Sequence, residues 1–365
     1  MLKTVLSVLG LLSLLLNLRA SGQTPVQVLV HPGTELVEVI ELLTDTIPHA
    51  RSTYNQEVLT YFQAYRNHPA VQEARRLRRL DQLSCDFPVR VSWALYHFPD
   101  VQLAAMTNMD GYEKIFNLAQ TQAFLQLCVR FAQDTHFWSF FQAHAGEYAS
   151  WITDFNRGLY HDGQLAKLDA FYRVKRSKEV VITLGALNCA TYAVSDLRGI
   201  NPTQAGKSVI MVAYRQVAQN RDALTEHPNF YAPAMTSQLI WHEIGHAYLA
   251  QTFARNQPQV ASVAYVIEQD SVLRRYAAQS GGAAGYLQEN VTQAVASLLK
   301  IRTGLAKRET ELVLTSDFYL LAPDMLTIIE RDYYGQQRYR DFDAFFPHLL
   351  AELAKKHPRL PSRTL

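Results

Sequence analysis

The spacing of apolar residues changes several times along this chain, and each change marks a different kind of element. Residues 26–31, Val-Gln-Val-Leu-Val-His, alternate well enough to predict a short strand. From Thr34 to about Ala170 the apolar positions recur at helical spacing, as in Leu36, Val39, Ile40 and Leu43. His68-Pro69, Phe87-Pro88 and Phe98-Pro99 punctuate this stretch into several helices, because proline does not continue a helix already under way. The aromatic run Phe137-Trp138-Ser139-Phe140-Phe141 fits packing between them. The period then shifts. Glu179 to Leu187 is rich in β-branched residues and predicts a strand, and Ser208 to Ala213 predicts a second. Beyond Pro233 helical spacing returns, with breaks expected at Pro258, Pro323 and Pro347, and it ends by Pro358. The expected fold is α+β and mostly α: a helical N-terminal region over 23–175, then 176–365 with a small β element and more helices.

Composition adds bounds. The 365 residues are 48% hydrophobic and 19% charged, enough for a large core in one domain or two. With 35 basic and 33 acidic residues the formal charge is +2, which gives no reason to expect nucleic acid or an anionic membrane as partner. The cluster Arg75-Arg76-Leu77-Arg78-Arg79 reads as a solvated helix face. At the start, Lys3 precedes an apolar stretch from Val5 to Leu16, and Ala20-Ser21-Gly22 puts small residues before Gln23. That pattern predicts a signal peptide over 1–22, cleaved near Gly22, and a protein exported to the periplasm or medium. The apolar run is shorter than the ~20 residues a bilayer-spanning helix needs, so no stable membrane insertion is expected after cleavage. The cysteines are Cys85, Cys128 and Cys189, with no C-x-x-C pair. The odd number argues against a disulfide framework; one bridge is possible, but three buried thiols are the expectation.

One constellation carries chemistry. Trp241-His242-Glu243-Ile244-Gly245-His246 contains H-E-x-x-H. On a helix, a separation of four residues sets both imidazoles on one face, a turn apart, where they can share an ion. Glu243 then projects beside them as general base for a metal-activated water. A helix is expected here because Pro233 sits near its start and no proline follows until Pro258. Met235, Leu239, His242, His246, Leu249 and Phe253 form one stripe, and Ile240, Ile244 and Ala247 make the adjoining face apolar. A helix buried nearly all round must compensate two histidines and a carboxylate, and a metal does so. The blander reading is two core histidines beside an exposed glutamate.

Zinc held in this way needs a third protein ligand, leaving a fourth position for water. A third histidine in H-x-x-G-x-x-H is ruled out, since Leu249 and Thr252 stand where glycine and histidine would be required. A later glutamate remains, with two candidates. Glu268 follows His246 by 22 residues, and Glu289 follows it by 43. Glu289 opens a good helix after the flexible Ser280-Gly-Gly-Ala-Ala-Gly285, a loop able to fold that helix back against the first.

The chain resembles an exported bacterial family catalogued as a domain of unknown function with a gluzincin-like H-E-x-x-H metallopeptidase motif. The likeness runs through Glu35-Leu36-Val37-Glu38-Val39-Ile40, His68-Pro69-Ala70-Val71, the Ile240–His246 segment and the Glu289 helix. It continues into Arg338-Tyr339-Arg340-Asp341-Phe342 and Phe345-Phe346-Pro347. The resemblance implies a zincin-like catalytic region and a zinc metallopeptidase with His242, His246 and Glu289 as metal ligands. Where that family's helix tends to read Glu-x-x-x-Arg-Ala, this one reads Glu289-Asn-Val-Thr-Gln293-Ala294. Gln293, one turn after Glu289, could orient a ligand imidazole or be a surface amide.

The resulting expectation is a zinc-dependent hydrolase acting on a peptide or protein, with Zn²⁺ bound by His242, His246 and Glu289 and Glu243 as base. Two other readings use the same motif: a binding protein that keeps the metal without turnover, and an amidase on a non-peptide or cell-wall substrate. A tyrosine or histidine donor for the oxyanion is also required. Tyr192, in the loop after the first central strand, is a candidate, and that strand's edge could pair with an extended peptide. His136, His144 and Glu147 are read as core or surface residues, because the eight-residue spacing of the histidines does not make a compact site.

Overall fold

The computed structural model describes residues 26–45, 51–80, 85–108, 117–176, 178–194, 197–214, 227–231, 233–314 and 317–359. Residues 1–22, expected to form a signal peptide, lie outside the described residues. The fold is α+β, mostly helical, around one small sheet. Its strands are β1 (Val26–Leu29), β4 (Glu179–Gly185), β5 (Tyr192–Val194) and β6 (Lys207–Ala213), in the order β1-β4-β6-β5. The two-residue strands β2 (Leu95–Tyr96) and β3 (Gln102–Leu103) form a separate hairpin around Phe98-Pro99. That hairpin falls within the stretch expected to be helical throughout.

β1, β4 and β6 run parallel, with Val26 opposite Val180 and Val180 opposite Ser208. β4 and β6 are buried almost end to end, which accounts for their near-continuous apolar sequences. β4 is therefore not an edge. Val180–Thr183 are paired on both sides, and the idea that this strand offers itself to an extended peptide is withdrawn. The outer strand is β5, antiparallel to β6, with Tyr192 opposite Met211; Tyr192 thus opens a strand rather than sitting in a loop.

Between β1 and β4 the helices include α1 (Pro32–Leu42), α2 (Thr53–Phe62), α3 (Pro69–Arg79), α4 (Leu118–Asp134), α5 (Phe137–Ala143), α6 (Ala145–Asn156) and α7 (Gln164–Tyr172). After the sheet come α8 (Pro233–Arg255), α9 (Ala283–Arg302), α10 (Ala322–Asp332) and α11 (Phe342–Lys356). Prolines mark several starts: Pro69 is in the first turn of α3, where His68 Nδ1 accepts from the Ala70 amide at 3.1 Å. Pro347 behaves differently. It was expected to break a helix, yet α11 runs straight through it. Asp341 caps this helix, and Phe342, Phe345, Phe346, Leu349, Leu350 and Leu353 are all buried along it. Each such side chain contributes about 1.5–3 kcal/mol, so together they outweigh the ~3 kcal/mol that an internal proline costs.

The buried side chains from Val26 to Leu353 form one core. Because β1 pairs with β4, the sheet takes strands from both sides of residue 175. A disulfide, Cys85–Cys189, adds a covalent link over 104 residues with its Cα atoms 5.5 Å apart. This corrects the expectation of three thiols: only Cys128 is free, and it is buried. The spacing of cysteines in sequence carried no sign that positions so distant would meet. Among the described residues, no helix is long and apolar enough to cross a membrane.

Candidate metal centre

The site forms where α8 and α9 pack face to face. One side of α8 is fixed against α7. The Trp241 indole donates to the Gln164 carbonyl at 2.9 Å, and the Gln164 amide donates to Ser237 at 2.6 Å. Further along, Tyr248 donates to Asp169 at 2.5 Å while Arg176 reaches both, at 2.6 and 2.9 Å. With Trp241 and Tyr248 committed to that side, His242 and His246 turn toward α9.

Close approach of the two helices depends on Gly245. A Cβ there would stand 2.6 Å from Thr292 Cγ2 and 3.2 Å from the Tyr172 hydroxyl, so the absent side chain makes room for α9. Glu289 consequently reaches both imidazoles. Its Oε2 lies 3.2 Å from His242 Nε2 and its Oε1 lies 3.5 Å from His246 Nε2. The three potential ligand atoms are all within 4.8 Å of one another. Glu268 is not part of this group; it ends a short helix, Tyr265–Glu268, and is exposed.

His242 is held from behind by Gln293. Its Nδ1 donates to Gln293 Oε1 at 3.1 Å, and the same oxygen accepts from Gln238 at 3.0 Å. The Gln293 amide donates to Ser297 at 3.1 Å, Ser297 donates to Glu311 at 3.0 Å, and Glu311 pairs with Lys300. This chain fixes which ring nitrogen of His242 carries a proton and leaves Nε2 facing Glu289. Gln293 is therefore an orienting residue rather than a surface amide.

Electrostatics follow from burial and from these neighbours. Burial pushes Glu243 up to about 7; the His242 charge opposes this and Glu289 adds to it. Burial carries His246 down to about 4, partly offset by Glu289. Burial works against the charge of Glu289, yet the hydrogen bond from His242 and both imidazoles hold it down at about 2. For His242 burial acts downward, but Glu289, Glu243 and Gln293 together take it above the usual histidine range. Glu289 and His242 thus each favour the charged form of the other, at 3.2 Å.

Tyr319, one of 19 tyrosines and not distinguished from the others by any motif, stands over this group. Its ring centroid is 5.6 Å from that of His242 at 61°. Burial, then the charges of Glu289 and Glu243, push its hydroxyl well above the ordinary tyrosine range. No hydrogen bond ties that hydroxyl to another described residue. The backbone beside it is pinned to α9, with the Leu321 amide donating to Asn290 at 2.8 Å and Tyr286 donating to the Phe318 carbonyl at 2.6 Å.

Two imidazole nitrogens and one carboxylate, converging without a lysine or arginine between them, make a donor set suited to zinc. The convergence of three partly buried donors on one point is what an ion of that kind requires, and the residues fit it. Compared with family models, curated proteins and solved structures, the chain matches none.

Proposed function

We propose that the protein is a zinc-dependent hydrolase of zincin-like type, with peptides or proteins as substrates. The observation that carries this reading is the meeting of His242, His246 and Glu289 at one point with Glu243 beside them and outside the triad. Zinc, when bound, supplies Lewis acidity and activates a water at neutral pH. The chain does the rest. His242 and His246 from α8 and Glu289 from α9 would hold the ion. Gln293 keeps the His242 ring at the angle ligation needs. Glu243 takes the proton of the attacking water and returns it to the leaving amine; a group pushed up to about 7 is suited to both transfers. The Tyr319 hydroxyl donates to the oxyanion that develops on the substrate. The Cys85–Cys189 bridge supports the accompanying expectation of export, since disulfides persist in oxidising compartments.

The test is zinc-dependent cleavage. The chelator-stripped chain is expected to leave a peptide library intact and to regain cleavage when zinc is returned. If the chain takes up no zinc at this triad when supplied with it, the histidines are packing residues and the reading falls. In a chain active in this assay, Tyr319→Phe should lower kcat by about 10²–10³-fold, the range for losing one oxyanion donor, with little change in zinc content. An unchanged kcat would remove Tyr319 from the mechanism.

A further inference from the structure

Two further groups of metal-ligating side chains occur among the described residues, and they differ in one decisive respect. In the first, Asp332, His348 and Glu352, a cation is already present. Arg331 contacts Asp332 at 2.5 Å and Glu352 at 2.9 Å, and Lys355 adds a contact to Glu352 at 2.6 Å. That group is an ion-pair network. The second, Glu57, His144 and Glu147, includes no lysine or arginine partner. It draws Glu57 from α2, His144 from the junction of α5 and α6, and Glu147 from the first turn of α6.

The geometry resembles that of a ligand set. His144 Nδ1 donates to the Phe140 carbonyl at 2.9 Å, which fixes the ring and leaves Nε2 facing Glu57 Oε2 at 3.0 Å. The ring is also wedged by Phe140, 4.1 Å away, and by the edge-on Tyr54, 5.3 Å away. The second carboxylate completes the group: Glu147 Oε1 is buried and accepts no hydrogen bond from a described residue. A second histidine, His227, brings its Nδ1 to 3.9 Å from that oxygen. Access is open, because Glu57 and His144 also line a surface groove of about 610 Å³.

We propose that Glu57, His144 and Glu147, with His227 beside Glu147, form a second divalent-metal site, distinct from the H-E-x-x-H centre. Its imidazole nitrogens and carboxylates select a zinc-class ion over calcium, which takes oxygen ligands alone. With Nδ1 bonded to the Phe140 carbonyl, Nε2 is the ring nitrogen left to meet the ion. Occupancy ties α2 to α6 and, through His227, to the segment that enters α8 at Pro233. The ion therefore braces the path into the active-site helix.

Zinc chloride titrated into the full chain, with bound metal counted after dialysis, tests this. The wild type is expected to hold two zinc ions per chain. His242→Ala/His246→Ala should hold one, and adding His144→Ala with Glu147→Gln should remove it. In the His242→Ala/His246→Ala background, Glu57→Gln, a conservative change at an exposed side chain, should weaken the remaining zinc at least about 10-fold. In that same background zinc should raise the melting temperature, and calcium chloride should not. A His242→Ala/His246→Ala chain that binds no zinc overturns the second site, and so does one whose affinity is unchanged by Glu57→Gln. A chain that keeps its full zinc count in His242→Ala/His246→Ala but loses an ion with His144→Ala/Glu147→Gln upholds the second site and sinks the first.

Discussion

Glu243→Gln is expected to reduce zinc-dependent hydrolysis by roughly 10²–10⁴-fold while zinc stays bound at the H-E-x-x-H centre. The two halves of that result have separate causes. Glu243 follows His242 in α8 but is not among the three groups whose ligand atoms converge, so its loss leaves the ligand set complete. An amide has the same shape but no basic oxygen, so it fills the space without accepting the water's proton. Stability should not suffer, because a buried carboxyl pushed up to about 7 is costly to ionise and a neutral amide is not. Peptide hydrolysis and metal content measured on the same preparation check both halves. Turnover within about twofold of wild type, with zinc in place, would remove Glu243 as the base.

The second large effect is expected from Glu289→Ala. Glu289 is the sole contribution of α9 to the triad, and it bridges both imidazoles at 3.2 and 3.5 Å. Removing it leaves two histidines on one helix, a pair that no longer encloses an ion. Losing even an orienting partner outside the ligand set costs about 10–100-fold in affinity, and losing a ligand should cost more. Zinc at this centre should then escape dialysis that the wild type withstands, and hydrolysis should disappear with it. Glu268→Ala is the control and should match the wild type in both, since Glu268 is exposed at the end of its short helix. If Glu268→Ala loses the metal and Glu289→Ala keeps it, the ligand assignment is inverted.

How much of this was legible in the sequence depends on the range of the interaction. The helical setting of His242 and His246 was readable because it is local: spacing of four, proline only at the start, and an apolar stripe around them. The strands β4 and β6 were visible for a similar reason, as short β-branched runs. The order of the strands was not. Nothing in Glu179–Gly185 tells that β1, some 150 residues earlier, will lie along one side of it. Glu289 was separated from Glu268 only by a loop argument and a resemblance, whereas the packing of Thr292 over Gly245 gives the physical reason. Tyr319 was not singled out, and His144 and Glu147 were set aside as core or surface residues, because the contacts of Tyr319 with His242 and of His144 with Glu57 join segments far apart in the chain. In His144 the missing partner was not His136 but a glutamate from another helix. His136 instead precedes α5 in a left-handed conformation.

The pairing of β1 with β4 and the bridge between Cys85 and Cys189 have a consequence for proteolysis. Here residues 26–29 supply a strand of the sheet beside β4, and a disulfide joins position 85 to position 189. A nick between residue 85 and the sheet would leave two pieces still covalently joined and still sharing one core. In the uncut chain, closing a loop on this scale restricts the unfolded state by about 4–5 kcal/mol, a contribution that such a nick removes. A cut between residues 85 and 189 therefore loosens this protein without freeing the residues that precede it, because the bridge still ties the two pieces together.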